Sequence, residues 1–425
     1  MWGSESAVDQ NKYGRYQSYG QLLIVNTDQG LKAHDIERGW DWNRLPGTTS
    51  LRMPARQLKT KKSRYYNPKS LCGGINFQGT SRYRNGAFTM DFERPTYEDE
   101  VARFWFKKSV FFYENLVVCL GSDIRSKSLG LKLFDVETTL FQNTPGDKRM
   151  FIKANGYNIP LGLNQPSRWL TWGENSPGML MDINQNGYYI PNAGKQNLNV
   201  WLLNQTSPDT KAKAYYATAV IRHGTNPQGV NYEYAILVNC SYRNVLRMAQ
   251  KQRRTGRQPR YRILNQDYRA HVVELLNSPR VGLTTYYYSI FKSNVVLPGP
   301  LRSVGDPCIL MVEYGNTRLA IGISFPQLNF NSTRKLRTSH DAREEELYYM
   351  QSQEKRIWVL LRDKVQRNAI RISVDGKAVG KQDYDKYFRI YEQLHDNDNA
   401  ASMILFKNLF NGFTTEVHLR KIVKN

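Results

Sequence analysis

The hydrophobic positions of this chain are grouped into short runs, as is typical of proteins built from β-strands. Apolar runs of strand length recur along the chain and are separated by Asn-Gly, Asp-Gly and Pro-Gly turn signals. In the first part of the chain these runs are Gln21–Asn26, Ala87–Phe92, Ser109–Tyr113, Leu116–Gly121, Tyr188–Ile190, Ala217–Arg222 and Tyr234–Val238. The pattern predicts an all-β protein built from antiparallel sandwiches, not one that alternates strands with helices.

Local signals predict two tight turns and one helix. Asn186-Gly187 and Asp375-Gly376 have the composition of two-residue hairpin turns. The segment Tyr242–Arg253 predicts a helix, because its apolar residues repeat with helical spacing. Those residues are Val245, Leu246, Met248 and Ala249.

A stretch rich in proline and glycine, Pro298–Pro307, predicts a domain boundary. We place one domain at residues 1–303 and a second at 304–425. The second contains five further strand-like runs, enough for a small terminal sandwich: Cys308–Glu313, Arg318–Ser324, Ile357–Arg362, Ala369–Val374 and Thr415–Leu419.

The charge of the chain points to a polyanionic partner. Its 425 residues include 60 Lys and Arg against 37 Asp and Glu, which gives a net charge of +23. Such an excess attracts polyanions in a salt-dependent way, and both sulfated polysaccharide and nucleic acid are polyanions of this kind. The alternative interpretation is that the charge serves only solubility.

The mean hydropathy is -0.60, and no apolar run is long enough to cross a membrane. The polar segment Met1–Lys12 also predicts that no signal peptide is present.

Several kinds of site are excluded by spacing. The four cysteines form no CxxC pair, and the six histidines show no HxH or HExxH spacing, which argues against a zinc hydrolase. The segment Asp182–Gly187 begins like a calcium-binding EF-hand loop, but Ala193 stands where the bidentate glutamate is needed. A hairpin turn is the preferred interpretation there.

One segment, Arg38–Thr49, has an unusual composition and is named here the signature loop. Five residues in succession combine two aromatic rings with polar groups: Trp40, Asp41, Trp42, Asn43 and Arg44. Aromatic faces stack on sugar rings, and Arg and Asn can bind carboxylates or sulfates, so Trp40, Trp42, Asn43 and Arg44 are candidate substrate-binding residues. Alternatively, buried tryptophans with an Asp–Arg pair could fix a sandwich edge. Both interpretations remain open at this point.

Two basic clusters interleaved with tyrosine are further candidates for polyanion binding. The first comprises Arg52, Arg56, Lys59, Lys61, Lys62 and Arg64, followed by Tyr65-Tyr66. The second surrounds Tyr261 and comprises Arg243, Arg247, Lys251, Arg253, Arg254, Arg257, Arg260 and Arg262. Arg253 and Arg254 are the candidate substrate-binding residues of this cluster. A solvated surface without a ligand is the alternative.

The signature loop resembles a segment of the chondroitin sulfate ABC lyases, which belong to polysaccharide lyase family 8. Upstream segments Trp2–Glu5 and Tyr13–Gly20 resemble the same family. Shorter matches follow in order: Phe77–Ser81, Lys107–Val110, Leu120–Ile124, Val136–Gln142, Asn186–Tyr188 and Tyr232–Tyr234. The resemblance implies a large antiparallel supersandwich followed by a smaller C-terminal β-sandwich.

The resemblance also implies a function, β-elimination at the uronic acids of a glycosaminoglycan such as chondroitin or dermatan sulfate. It gives Glu5 a catalytic role. The family's catalytic histidine, tyrosine and arginine lie on an α-helical toroid and have no counterpart here, so we expect the isolated chain to be inactive and a separate chain carrying the toroid to be a partner. No cofactor is expected for the chemistry. A structural calcium or magnesium ion and an extracellular or periplasmic location are compatible with the resemblance.

The alternative is a non-catalytic β-sandwich protein that binds sulfated polysaccharide. A third reading, nucleic-acid binding, has no recognised sequence module to support it.

Overall fold

The computed structural model describes most of the chain, and every structural statement below concerns its described residues. These are 20–25, 32–54, 57, 72–79, 85–94, 101–144, 150–154, 157–161, 172–207, 210–255, 260–276, 282–326, 354–393 and 401–422. The chain forms two compact units. The first comprises residues 1–66, 93–108 and 115–258, and the second comprises 67–92, 109–114 and 259–425.

The described elements are overwhelmingly strands. The first thirteen are β1 Thr49–Leu51, β2 Cys72–Phe77, β3 Asn85–Glu93, β4 Ala102–Tyr113, β5 Leu116–Ser128, β6 Asp135–Asn143, β7 Met150–Ala154, β8 Tyr157–Leu161, β9 Gly178–Met181, β10 Gly187–Ile190, β11 Leu198–Thr206, β12 Lys213–Thr225 and β13 Gln228–Leu237. The others are β14 Tyr261–Gln266, β15 Ala270–Leu275, β16 Leu283–Ile290, β17 Val295–Val296, β18 Leu301–Val304, β19 Ile309–Gly315, β20 Arg318–Ser324, β21 Lys355–Leu361, β22 Arg371–Val374, β23 Lys377–Ala378, β24 Phe388–Gln393, β25 Ala401–Leu409 and β26 Thr414–Arg420. The helices are α1 Tyr242–Thr255, α2 Tyr384–Tyr387, and 3-10 turns at Lys32–His34 and Lys381–Asp383.

In the first unit two antiparallel sheets pack face to face. One has the strand order β1-β6-β12-β11, and the other contains β4, β5, β13, β10, β9, β7 and β8 as successive neighbours. Phe141 of β6 lies 5.0 Å from Tyr188 of β10, measured between ring centroids. These rings, together with Tyr232 and Tyr234 of β13, are fully or almost fully buried. The large aromatic residues therefore fill the space between the two sheets.

Helix α1 covers the other face of the second sheet. Val245, Met248 and Ala249 are buried, and the helix packs on β9 and β10. A Cβ atom at Gly187 of β10 would lie 2.1 Å from Val245 Cγ2, so the close approach of helix and strand requires glycine at this position. The predicted helix is confirmed and ends two residues later than expected.

The second unit is also a sandwich. Its sheets have the strand orders β14-β15-β16-β19-β20-β26-β22-β23 and β17-β18-β21-β25-β24. Apolar residues from both sheets form one core between them: Val272, Tyr288, Leu310, Val312, Ile321, Ile323, Val359, Ile404, Phe406 and Val417. The hairpin of β2 and β3 also belongs to this unit.

The all-β prediction is confirmed, with exceptions in detail. The strand predicted at Gln21–Asn26 is wrong over residues 21–25, which form no strand. Leu23 and Val25 are 41% and 47% exposed, so their hydrophobicity does not reflect burial in a sheet. The predicted strand Ala369–Val374 begins only at Arg371.

The turn at Asp375-Gly376 was predicted correctly, whereas the turn predicted at Asn186-Gly187 lies slightly earlier in the sequence. Asp375 and Gly376 have φ values of 47° and 79° and connect β22 with β23, as a mirror-image hairpin turn requires. At Asn186-Gly187 the left-handed residue is instead Gln185, with φ 61°. Gly187 is already part of β10. The predicted boundary between residues 303 and 304 falls within β18 of the second unit, and the proposed pair of domains stays a prediction.

Candidate functional site

The signature loop lies over the four-stranded sheet of the first unit, with its tryptophans turned inward. Trp40 and Trp42 are only 1% and 7% exposed. The Trp40 ring makes edge contacts with the rings of Trp42, His34 and Tyr216, at centroid distances of 6.3, 5.9 and 5.8 Å. Rings buried in this way stabilise the loop and leave little surface for stacking on a sugar. Their predicted substrate-binding role stays a prediction, and the structural reading is favoured.

Asn43 closes the loop on itself. Its side-chain amide donates to the Met53 carbonyl at 3.1 Å and accepts from the Met53 N–H at 2.8 Å. Its own backbone N–H donates to Asp41 Oδ1, and Ser50 Oγ donates to the Asn43 carbonyl. These four hydrogen bonds give Asn43 a structural function that the sequence pattern did not reveal.

A buried lysine, Lys108, forms a hydrogen bond with the Pro46-Gly47 turn of the signature loop. Lys108 is fully buried, and its ammonium group donates hydrogen bonds to the carbonyls of Gly20 and Gly47. Burial lowers the pKa of Lys108 to about 8. Gly47 has φ +79°, and a Cβ there would lie 2.6 Å from Leu22 Cβ, so glycine is required.

Arg44 is the centre of a buried ionic network. Only 5% of this residue is exposed. Its Nε donates to Glu137 Oε2 at 3.1 Å and its Nη1 to Asp41 Oδ2 at 3.2 Å, while the guanidinium carbon lies 4.5 Å from the centroid of the Trp201 ring. An arginine with two carboxylate partners and a stacked indole is held firmly in one position.

Two further arginines and one further aspartate extend this network towards solvent. We call the complete set the arginine–carboxylate cluster: Asp41, Arg44, Arg52, Asp135, Glu137 and Arg222. Arg52 lies 3.8 Å from Asp41 and 3.6 Å from Glu137. Arg222 lies 2.8 Å from Asp135 and 3.6 Å from Glu137. The side chains of Arg52 and Arg222 are 34% and 38% exposed, so the cluster presents two guanidinium groups to the solvent.

Glu137 has an unusual protonation equilibrium for a carboxylic acid. Its side chain is 3% exposed. Burial raises the pKa of Glu137 to about 7, although Arg52 and Arg222 oppose the shift. A carboxyl group with this pKa can accept or release a proton near neutral pH, which is the property required of a general acid or base.

The neighbouring histidine is neutral. His223 Nε2 lies 2.8 Å from Thr138 Oγ1, and its ring is 5.9 Å from the Tyr232 ring. Burial lowers the pKa of His223 well below its ordinary value of 6.5. His223 therefore behaves as a packed, hydrogen-bonded residue.

The folded structure places residues of the cluster next to one another that are distant in the sequence. Glu137 and Arg222 pair directly across β6 and β12. Glu137 was noticed only within a segment of family resemblance, and Asp135 and Arg222 were not singled out. The available signal was one glutamate in the otherwise uncharged run Val136–Gln142.

Three other predicted site residues are Glu5, Arg253 and Arg254. Glu5 lies outside the described residues, so its proposed catalytic role is untested. Arg253 and Arg254 belong to α1; Arg254 is exposed, and the Arg253 side chain lies outside the described residues. Among the described residues, no three His, Cys, Asp or Glu side chains are placed to hold a metal ion. The calcium or magnesium ion considered from the resemblance stays a prediction.

The segment that resembled a calcium-binding loop is a closed turn. Asp182 Oδ1 accepts hydrogen bonds from the backbone N–H groups of Asn184 and Asn186. Its Oδ2 accepts from the Asn186 amide and the Tyr188 hydroxyl. Both carboxylate oxygens thus organise the turn that leads into β10, which accords with the predicted hairpin interpretation.

The second unit contains a pocket of about 290 Å³. Its lining includes Gly79, Glu313, Arg318, Arg371 and His418. Beside it, the buried Glu416 accepts hydrogen bonds from the backbone N–H groups of Gln78 and Gly79, and lies 2.6 Å from His418 Nε2. These bonds fasten the end of β2 to β26. Structural attachment is the evident role of Glu416.

None of the described helices is both long and apolar enough to span a lipid bilayer.

Solved structures define the class of protein to which this fold belongs. The chain superimposes on a Paenibacillus xanthan lyase with a TM-score of 0.62 and 16% identity, covering 90% of this chain and 31% of that one. It superimposes on the Streptomyces coelicolor A3 chondroitin AC lyase with a TM-score of 0.56 and 16% identity, covering 93% and 41%. The chain therefore shares its fold with part of each of these polysaccharide lyases.

Sequence comparison gives the family. The family model for polysaccharide lyase family 8, super-sandwich domain, matches residues 1–249, and the chain belongs to this family. The chondroitin sulfate ABC endolyase of Proteus vulgaris is 31% identical over 341 residues, which are 77% of this chain and 31% of that protein. The chondroitin sulfate ABC exolyase of Bacteroides thetaiotaomicron is 29% identical over 331 residues, 74% of this chain and 29% of that protein. The chain thus spans about 30% of the length of these relatives.

Proposed function

We propose that this chain is the C-terminal β-sandwich part of a glycosaminoglycan lyase that cleaves chondroitin or dermatan sulfate by β-elimination at uronic acids. The observation that carries the proposal is the match of residues 1–249 to the super-sandwich domain of polysaccharide lyase family 8. The names of the chondroitin sulfate ABC lyases among its relatives support the choice of substrate. The net charge of +23 suits a polyanionic substrate.

The requirements of β-elimination indicate which catalytic groups this chain would contribute. β-Elimination requires neutralisation of the uronate carboxylate, a base for the proton at the adjacent carbon, and an acid for the leaving oxygen. The family resemblance assigns these tasks mainly to a histidine, a tyrosine and an arginine of the α-toroid, and assigns only Glu5 to this chain. We therefore propose that the 425-residue chain binds substrate but turns over none without a segment that carries the toroid, which a separate chain could supply.

Within the arginine–carboxylate cluster, Arg52 and Arg222 are better placed than the tryptophans for contact with substrate. Each of these side chains is about one-third exposed, and its guanidinium group lies within 3.8 Å of a carboxylate. An oriented, partly exposed guanidinium can form a two-pronged hydrogen bond with a sulfate or uronate. Because an exported polymer is the proposed substrate, an extracellular or periplasmic location belongs to the same proposal.

The test is turnover by the purified chain, with and without the toroid segment of a chondroitin sulfate ABC lyase relative added. Formation of the unsaturated uronide is followed by ultraviolet absorbance on chondroitin sulfate and dermatan sulfate. We expect no product from the chain alone, salt-sensitive binding, and product when the toroid segment is present. Glu5→Gln should then lower turnover while leaving binding unchanged.

Two results would contradict the proposal in different ways. Product formation by the chain alone, lost in Glu5→Ala, would refute the claim of inactivity but support the lyase assignment. Absence of both binding and turnover on either polymer, with the toroid segment present, would refute the assignment itself.

A non-catalytic polysaccharide-binding protein is the second candidate function. It is favoured by exposed basic residues such as Arg243, Arg247 and Arg254, which need no catalytic partner to bind a sulfated chain. Salt-sensitive binding with no turnover, even when the toroid segment is bound to the chain, would select this alternative.

A further inference from the structure

Helix α1 carries four basic side chains along one line. We call Arg243, Arg247, Lys251 and Arg254 the α1 stripe, and all four residues are exposed. Their spacing places them within an arc of about 80° and over about 16 Å along the helix axis. A linear polymer could therefore meet all four in succession.

The composition of the stripe works against the stability of the helix that carries it. Arg243, Arg247 and Lys251 are like charges at successive i,i+4 positions, which repel one another. The first turn contains no acidic residue, although a negative charge there would be stabilised by the helix dipole. Folding therefore gives no reason for this arrangement, whereas capture of an anion does.

The helix that carries the stripe is packed firmly against the sheet. The opposite face of α1 is buried through Val245, Met248 and Ala249, and Gly187 allows the helix to lie directly on β10. Near the start of the helix, Lys153 Nζ lies 5.8 Å from the centroid of the Tyr242 ring and adds another cation. A helix that is already packed in place does not have to be ordered when an anion binds, which lowers the entropic cost of binding.

The arginines of the stripe have not been neutralised by carboxylates. Over the described part of the chain, Arg243, Arg247 and Arg254 form no ion pair. In the arginine–carboxylate cluster, by contrast, Arg44, Arg52 and Arg222 each contact a carboxylate. These three arginines of the stripe therefore keep their positive charge available for an external anion.

The stripe and the cluster lie on opposite sides of the first unit. Tyr188 of β10 contacts Phe141 of the four-stranded sheet, whereas its neighbour Gly187 faces Val245 of α1. Because successive residues of a strand point to opposite faces, α1 lies on the side of the sandwich away from the signature loop. One short oligosaccharide cannot occupy both surfaces through a common groove.

We propose that the α1 stripe is a second binding site for sulfated glycosaminoglycan, separate from the signature loop, that anchors the polymer through its sulfate and carboxylate groups. The inference rests on the proposed function, because the same polymer is the proposed substrate. Arginine suits these anions through its planar pair of N–H donors.

The test compares two triple variants of the full chain that carry the same charge change. The site variant is Arg243→Gln, Arg247→Gln, Arg254→Gln, in which glutamine preserves helix propensity. The control variant is Arg103→Gln, Arg389→Gln, Arg420→Gln, at exposed positions outside α1. Binding of fluorescent chondroitin sulfate oligosaccharides is measured by anisotropy over a series of salt concentrations, and circular dichroism checks that each variant is folded.

We expect the site variant to lose about tenfold or more in affinity and the control variant less than about twofold. Losing three anion contacts should reduce the salt slope by about two, on the scale of about 0.7 per contact known for flexible polyanions. Equal affinities for the two variants would overturn the inference, and so would an equal or larger loss on single-stranded DNA of matched charge. Failure of wild-type protein to bind chondroitin sulfate at all would instead refute the proposed function.

Discussion

The arginine–carboxylate cluster and the α1 stripe use the same residue type for opposite purposes. In the cluster, Arg44 is 5% exposed, contacts two carboxylates and stacks on Trp201. In the stripe, Arg243, Arg247 and Arg254 are exposed and form no ion pair within the described chain.

The contrast shows that the number of arginines in a segment does not reveal whether they bind a ligand. The signature loop has the composition of a sugar-binding segment, yet its aromatic rings and Arg44 are largely used in packing. The basic cluster around α1 looked more ordinary in the sequence, but three of its arginines, Arg243, Arg247 and Arg254, form no ion pair among the described residues. Burial and partners decide between the two roles, and each difference can be tested by substitution.

The largest expected effect is loss of the buried guanidinium. Arg44→Leu should destabilise the protein by about 3–5 kcal/mol, because it leaves a buried carboxylate short of its partner. The remaining contacts of Arg52 and Arg222 with Glu137 favour the lower end of that range. Urea denaturation of the purified protein measures the change. The matched substitution Arg247→Leu on α1 should stay within about 0.5 kcal/mol, and equal losses would remove the distinction between the regions.

The next effect is a pH dependence of stability that is expected from the cluster and not from the α1 stripe. The pKa of Glu137 is raised from 4.5 to about 7 in the folded protein, so the folded state holds the proton more tightly than the unfolded state. Stability from this group is therefore greatest below about pH 4.5 and falls as the pH rises towards 7. At 1.36 kcal/mol per pKa unit, the decrease is about 3 kcal/mol.

The measurement is urea denaturation of wild type and Glu137→Gln across this pH interval. The difference between the two proteins isolates Glu137 from Asp182, whose pKa is also raised, to about 6. A wild-type protein that gained stability relative to Glu137→Gln with rising pH would show that the arginines, not burial, control this carboxyl group.

A smaller loss of stability is expected where α1 packs against β10. Gly187→Ala should destabilise the protein by about 1–3 kcal/mol through overpacking, because the added Cβ would lie 2.1 Å from Val245 Cγ2 and 2.9 Å from Cys240 Sγ. Thermal unfolding measures this change. In the double variant with Val245→Ala, part of the clash should be relieved, so the two effects should be less than additive. Strict additivity would argue against close contact between β10 and α1.

The smallest effect should have the opposite sign. Arg243→Glu should stabilise the protein by about 0.3–1 kcal/mol at low salt, because a negative charge in the first turn interacts favourably with the helix dipole. The same variant should bind chondroitin sulfate more weakly than Arg243→Gln, since it also repels the polymer. Urea denaturation and anisotropy measure the two quantities. A variant that was destabilised would show that Arg243 serves the fold.

Much of the architecture could be predicted from sequence because strand-forming patterns are local. The runs at Leu116–Gly121 and Tyr234–Val238 lie within or along β5 and β13, and α1 begins at the predicted residue. The strand prediction for Gln21–Asn26 was wrong over residues 21–25, because hydrophobic character alone does not provide a neighbouring strand for pairing. The turn near Asn186 was displaced because the Asp182 side chain fixes its geometry, an interaction the dipeptide rule does not include.

The sequence by itself determined the all-β fold class, the α1 helix and the resemblance to polysaccharide lyase family 8, because periodicity, turn residues and family segments are read along the chain. Only the tertiary structure decided that Trp40, Trp42 and Arg44 are buried, and that Glu137 meets Arg222 across β6 and β12. It also decided that the arginines of α1 face solvent on the other side of the sandwich. The physical reason is that desolvation and ion pairing depend on which distant segments fold against a residue, and strand pairing sets those neighbours.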